Sequence, residues 1–300
     1  MRFDHIAIVG VGLIGGSFAL AARRAGLAGR ITGLDSKAVI GQARARGVID
    51  DGGESFEEAR VARADLVYLA APVRAILSFL RSNGRSLKPG ATVTDAGSTK
   101  RDICRAAREA LPPEIVFVGG HPMAGSERTG VEFADANLLS GAPYALIAES
   151  VPRALAGASV CNGGSGALQV MTEVVESIGA RPIVLTAEQH DRIAARISHV
   201  PQLLSTALAL AVSQAPQPET LRMAGGGFAE LARLAESRWS VWEDICRTNA
   251  DEISSALDEA IAELEAVQAA VLSRDFSALE EMFDKAAQLM RRFRDVRRDK

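Results

Sequence analysis

The sequence predicts an α/β fold: a doubly wound, mainly parallel sheet, followed by an all-helical C-terminal domain. Three observations carry this. Short β-type runs alternate with helical patterns from residue 5 to about residue 186. A G-x-G-x-x-G turn joins the first run to the first helical pattern. Beyond Thr186 only helical periodicity remains. The expected domains are therefore 1–186 and 187–300. A chain of 300 residues, 48% hydrophobic and 24% charged, is long and apolar enough to form two globular domains.

The first strand is expected at His5–Val9, followed by a helix over Gly16–Ala25 that Gly26 terminates. Arg30–Leu34 reads as the second strand and Lys37–Arg46 as the second helix, with Gly47 at its end. Further strands are expected at Leu66–Ala70, Thr92–Asp95, Val116–Val118, Tyr144–Ala148 and Pro182–Leu185, with a helix at Ala75–Leu87. The stretch 151–166 has no period and many small residues, which reads as a flexible surface loop. The second half carries helical patterns over Glu188–Gln214, Phe228–Glu236, Ser240–Ala269 and Ser277–Val296. These helices are long and rich in Ala and Leu, as expected of a homodimer formed through this domain; one compact monomeric bundle is the alternative.

The net charge of −3 and the lack of a long basic run before the last ten residues argue against a nucleic-acid partner. The basic stretch from Arg291 to Arg298 reads as a solvated helix end, where cations suit the dipole. Cys104, Cys161 and Cys246 form neither a metal-ligand spacing nor a disulfide framework, so a reducing cytoplasm fits and no metal is expected. No apolar run approaches the ~18 residues of a membrane span, and Asp4 and His5 interrupt any signal-peptide pattern.

Gly10-Val11-Gly12-Leu13-Ile14-Gly15 follows the first strand and opens a helix, the context of a Rossmann-type dinucleotide site. Gly10 permits the tight turn, Gly12 lets the backbone approach a pyrophosphate, and Gly15 lets helix and strand pack closely. The helix N-terminus then offers N–H groups to the phosphates. Asp35 lies 20 residues after Gly15, placed to accept both ribose hydroxyls and to repel a 2′-phosphate. NAD is therefore expected over NADP, with Lys37 as a counter-signal. Ala71-Pro72-Val73 and Gly97 follow two later strands and are expected beside the cofactor.

Only four histidines are present: His5, His121, His190 and His199. His5 starts a strand and reads as structural. His121 lies in Gly119-Gly120-His121-Pro122-Met123-Ala124-Gly125-Ser126-Glu127, past a strand's C-terminal end, where open α/β sheets bind ligands. Asp95-Ala96-Gly97-Ser98-Thr99-Lys100 ends another strand on the same edge.

These two segments, together with Ser198-His199-Val200-Pro201 and Gly225-Gly226-Gly227-Phe228, resemble the prephenate/arogenate (cyclohexadienyl) dehydrogenase family. The resemblance spans residues 5 to 297. It implies NAD-dependent oxidative decarboxylation in tyrosine biosynthesis, of arogenate to tyrosine and/or prephenate to 4-hydroxyphenylpyruvate. It also implies that His121 takes the proton of the ring C4 hydroxyl, that Ser98 bonds that hydroxyl and His121, and that Asp191 orients His121. Arg233 would clamp a substrate carboxylate, His199 would stand near the pocket, and Trp242 would be a pocket or dimer aromatic. Each has a plainer reading. His121 would then be a structural loop histidine, His199 a core histidine and Trp242 ordinary core. Asp191 would satisfy helix-start N–H groups, and Arg233 would pair with Glu230 or Glu236.

Relatives that favour prephenate often carry His-x-Pro-His. Here the last position is Gln202, a neutral amide that offers an acceptor to the arogenate ammonium, with Glu230 adding negative charge. Arogenate is the expected preference; strict prephenate specificity is the alternative. More remote alternatives are a β-hydroxyacid-type dehydrogenase, which would use a lysine base, and a non-catalytic NAD-binding sensor. Neither the fused chorismate mutase nor the ACT domain of some relatives is expected.

Overall fold

The computed structural model describes residues 2–125, 128–148, 166–215 and 217–298. Of the loop expected at 151–166, all but Gly166 lies outside the described residues. The alternating half forms β1 (Phe3–Val9), α1 (Leu13–Arg24), β2 (Ala28–Leu34), α2 (Lys37–Ala45), β3 (Asp51–Gly53), β4 (Leu66–Leu69), α3 (Val73–Asn83), β5 (Thr92–Asp95) and α4 (Arg101–Ala110). It continues through β6 (Val116–Pro122), β7 (Pro143–Ile147), α5 (Gly166–Ser177), β8 (Arg181–Leu185) and α6 (Ala187–Ala194). The helical half has α7 (Val200–Ser213), α8 (Gly226–Ala232), α9 (Trp239–Thr248), α10 (Ala250–Ser273) and α11 (Phe276–Arg298).

One eight-stranded sheet runs in the order β3-β2-β1-β4-β5-β6-β7-β8. Every described junction is parallel except β6–β7. Alternation along β1 sends Ile6 and Ile8 to one face, with Phe18 of α1, and Ala7 and Val9 to the other, with Val73 and Ile76 of α3. Both faces are covered, which explains why the inner strand β4 reads as an unbroken apolar run, Leu66 to Leu69, buried throughout. β1 and β4 are neighbours, so the winding reverses between their C-terminal ends, and a crevice opens there.

Three departures from expectation have local causes. Strand β3 is Asp51-Gly52-Gly53, a composition with no β signal. It is held by its pairing to β2, where a Cβ on Gly52 would meet the Gly33 carbonyl at 2.4 Å. The helix expected over Glu188–Gln214 widens to a π-turn at Ala195–His199. Pro201 lacks the N–H that would return to residue 197, and a widened turn accommodates its ring. The helix expected over Ser240–Ala269 breaks at Asn249, which takes φ −136° and ψ 27°.

Contacts divide the chain into two units. The first holds Met1–Ala194 and Glu236–Asn249; the second holds Ala195–Ala235 and Ala250–Lys300. Helix α9 thus belongs to the sheet unit. Asp244 accepts the Arg74 backbone N–H (2.9 Å) at the start of α3 and pairs with the Arg74 guanidinium.

Gly15 and Gly12 make separable predictions. A Cβ on Gly15 would stand 2.0 Å from the Gly10 carbonyl oxygen, whereas one on Gly12 would meet nothing within 4 Å. Gly15→Ala should lower unfolding free energy by about 1–3 kcal/mol, read from urea denaturation. Gly12→Ala should keep the wild-type midpoint and lose NAD affinity. Equal midpoints for Gly15→Ala and wild type would remove the packing argument.

Candidate active site

The nucleotide side is built at the β1–β4 crevice. Gly10 has φ +89°, and a Cβ there would stand 2.6 Å from the Ala70 carbonyl, so only glycine turns at this point. Gly12 precedes α1 as its cap, with Leu13 and Ile14 half-buried in the first turn. No acidic side chain occupies that turn to offset the dipole. Asp35, just past β2, accepts the Val11 N–H (2.8 Å) on one oxygen and the Ser36 N–H (2.7 Å) on the other. Each oxygen keeps a further lone pair for a ribose hydroxyl. Of the residues expected beside the cofactor, Ala71 is half-buried, Pro72 is exposed as the cap of α3, and Val73 is buried in the core. These residues fit a dinucleotide: the glycine turn leaves backbone open, and the carboxylate is fixed in place.

The neighbouring strand ends carry a buried ion pair. Asp95 closes β5, and Lys100 precedes α4; both are fully buried and paired with each other. Asp95 also accepts N–H groups from Gly97 (2.8 Å) and Gly120 (3.0 Å), and the Lys100 ammonium donates to the Gly120 carbonyl (2.7 Å). His121 is the next residue along β6.

His121 Nδ1 lies 2.8 Å from His190 Nε2, and His190 Nδ1 lies 2.8 Å from Asp191 Oδ1. The carboxylate can only accept, so the His190 proton sits on Nδ1 and its Nε2 accepts from His121 Nδ1–H. The basic nitrogen of His121 is therefore Nε2. Asp191 also accepts the backbone N–H groups of Lys100 (2.7 Å) and Arg101 (2.9 Å), capping α4 from a distance. Asn249 donates to the Asp191 carbonyl (2.9 Å) and accepts from Arg101 (3.0 Å).

Burial pushes the His190 imidazole below its ordinary value, against the opposing effect of the hydrogen bond it donates to Asp191. Burial alone would raise the Asp191 carboxyl, but hydrogen bonds from His190 and the Arg101 N–H hold it low. The resting pair is a neutral imidazole on a carboxylate. That arrangement stabilises positive charge when His121 takes a proton.

The structure thus joins Asp191 to His121, but through His190, which the sequence reading left without a role. Ser98 is half-buried in the loop between Asp95 and Lys100 and makes no side-chain hydrogen bond among the described residues. Gly97 is buried in the same loop. Trp242 is half-buried on α9 of the sheet unit. His199, Gln202, Glu230 and Arg233 belong to the other unit. There His199 is buried at the end of the π-turn, and the Gln202 amide donates to the Leu234 carbonyl (2.6 Å). Glu230 and Arg233 are exposed, and neither ion pair open to Arg233, with Glu230 or Glu236, forms. Lys100, Asp95, His190 and Asn249 were missed as site residues. Their flanking residues are polar or charged, Thr99 and Arg101 around Lys100 and Gln189 and Arg192 around His190-Asp191, so no local pattern marks them as buried.

The family described as "Prephenate dehydrogenase, nucleotide-binding domain" matches residues 18–184, and that described as "Prephenate dehydrogenase, dimerization domain" matches 186–285. A prephenate dehydrogenase of Lactococcus lactis is 32% identical, covering 95% of this chain and 76% of its own length. A cyclohexadienyl dehydrogenase of Zymomonas mobilis is also 32% identical, over 95% of this chain and 94% of its own. The crystal structure of prephenate dehydrogenase from A. aeolicus with hydroxyphenyl propionate and NAD+ superposes with a TM-score of 0.85. It has 29% identity and covers 97% of this chain and 98% of its own.

The depressed imidazole sets a pH dependence of stability. His190 in the folded chain binds its proton less tightly than at the ordinary value of 6.5. Its contribution is therefore complete above 6.5 and is lost as pH falls from there towards the folded value. Asp191, held below 3.8, adds loss only at lower pH still. Urea unfolding from about pH 7 to 5 should show stability falling in the wild type and a flatter curve in His190→Gln. Parallel curves would mean that His190 titrates as it does in the unfolded chain.

Proposed function

The chain belongs to the prephenate dehydrogenase family, and we propose that His121, oriented by His190 and Asp191, is the base of its reaction. The enzyme is an NAD-dependent oxidoreductase that oxidatively decarboxylates a cyclohexadienyl acid, prephenate or arogenate, in tyrosine biosynthesis. NAD, when bound, supplies the hydride acceptor. The observation that carries the assignment is the His121–His190–Asp191 chain, two 2.8 Å bonds that fix the tautomer and leave His121 Nε2 basic. His121 takes the proton of the C4 hydroxyl, which drives hydride out of C4. The C1 carboxylate is then lost as CO2, because its departure makes the ring aromatic. Ser98 bonds the same hydroxyl. Arg233, exposed and with neither acidic neighbour paired to it, supplies the bidentate anchor for a substrate carboxylate. His199 and Trp242 shape the substrate side.

The second unit forms a homodimer in this reading. Helices α10 and α11 expose Leu264, Val271, Leu272, Phe276, Phe283 and Phe293, large apolar side chains that a second copy would cover. The family described for residues 186–285 is a dimerization domain.

For substrate, Gln202 favours arogenate. Its amide nitrogen is tied to the Leu234 carbonyl. A flip would set two carbonyl oxygens against each other, so the orientation of the amide is fixed, and a neutral amide beside the substrate repels an ammonium less than a protonated histidine would. Glu230 adds negative charge in the same unit.

His121→Asn should lower kcat by about 100- to 10,000-fold while NAD affinity, followed by nucleotide fluorescence, stays near wild type. Near-normal turnover would remove His121 from the mechanism. Catalytic efficiency measured on both substrates tests the second reading: Gln202→His should gain on prephenate and lose on arogenate. A wild type that strongly prefers prephenate, or a mutant with an unchanged ratio, would sink it.

A further inference from the structure

A ring of hydrogen bonds closes around the base, and Lys100 enters it twice. Its ammonium donates to the carbonyl of Gly120, the residue before His121 (2.7 Å), and its backbone N–H donates to Asp191 Oδ1 (2.7 Å). Between those points run the His121–His190 and His190–Asp191 bonds. We propose that Lys100 is a positioning residue for this reaction, fixing through its two hydrogen bonds both the strand end that carries His121 and the carboxylate that orients His190. The inference rests on His121 being the base.

The geometry explains why a lysine is used. The Gly120 peptide is held at both ends, its N–H by Asp95 and its C=O by Lys100, and the two side chains are fully buried and paired. No water competes for these bonds. Gly120 has to be glycine for the strands to close this far, since a Cβ would stand 2.6 Å from the Asp95 carbonyl oxygen. A methionine at position 100 would fill the same space without a donor. The Gly120 carbonyl would then be unsatisfied, and the end of β6 would shift with the base on it. Misplacement of a reacting group by about 1 Å costs on the order of a hundredfold in rate.

Charge acts in the same place. The ionisable groups facing His190 are His121, Asp191, Lys100 and Asp95. The two carboxylates favour an imidazolium there, and the Lys100 ammonium opposes it. Loss of the ammonium therefore moves protonation of the histidine pair to higher pH.

The test uses the full-length chain with NAD. Lys100→Met and the neutral pair Asp95→Asn/Lys100→Met are compared with wild type and with His121→Asn. Both Lys100 variants should lose about 10- to 100-fold in kcat, with substrate KM and NAD affinity changed by less than about threefold. In Lys100→Met the acid limb of the kcat–pH profile should move to higher pH. The double variant leaves no lone buried carboxylate, so it decides the matter if the single variant does not fold. A purely structural role would lower the melting temperature and the active fraction while the folded molecules kept wild-type kcat and pH limb. That result in either folded variant overturns the proposal. Normal turnover by His121→Asn overturns the assignment of the base itself, whatever Lys100 does.

Discussion

A carboxylate and an ammonium that never meet water hold the C-terminal edge of the sheet together. Asp95 and Lys100 are taken fully out of solvent, a cost that their mutual attraction offsets only with the help of matched groups around the pair. The matches are the N–H groups of Gly97 and Gly120 and the carbonyl of Gly120. Removing one member of such a pair costs about 3–5 kcal/mol. The pair joins β5 to β6 beyond the last ladder bonds, and the His121 relay is built on that join. Asp191 extends the same economy of groups: one carboxylate caps α4 and sets the tautomer of two imidazoles.

The nucleotide end and the proton-transfer end rest on different physics. At the nucleotide end, backbone approaches backbone: glycine is required at positions 10 and 15 because the Ala70 and Gly10 carbonyls occupy the space of a side chain. At the other end, side chains add to a close approach of β5 and β6 at Gly120: the Asp95–Lys100 pair and the His121–His190–Asp191 bonds do the joining. The first arrangement is rigid by sterics and indifferent to pH. The second is rigid by hydrogen bonds and changes with protonation.

Much of this was legible in the sequence. The Gly10–Gly15 turn, the strand alternation and the purely helical second half follow from local periodicity and glycine placement, and the sheet formed as they require. Asp51–Gly53 escaped because its three residues form a strand only through their partners. The breaks at Ala195–His199 and Asn249 escaped because helical periodicity passes straight through both. At the proposed site, His121 and Asp191 were nameable from motifs. His190 was not, because its role comes from a bond spanning 69 residues, which no local spacing encodes. Lys100 stood in a motif that was read, but its burial was invisible without the strand beside it.

Helix α9 adds a consequence for how the molecule is made. The chain leaves the sheet unit at Ala194 and returns to it only for Glu236–Asn249. The bond from Arg74 to Asp244 spans 170 residues, and Asn249 reaches back to the carbonyl of Asp191. A nascent chain emerging from a ribosome therefore cannot finish its nucleotide-binding half until most of the second half has been synthesised. The start of α3 waits for Asp244, and the Arg101 guanidinium, already bonded to Asp191, gains Asn249 only when α9 has been made.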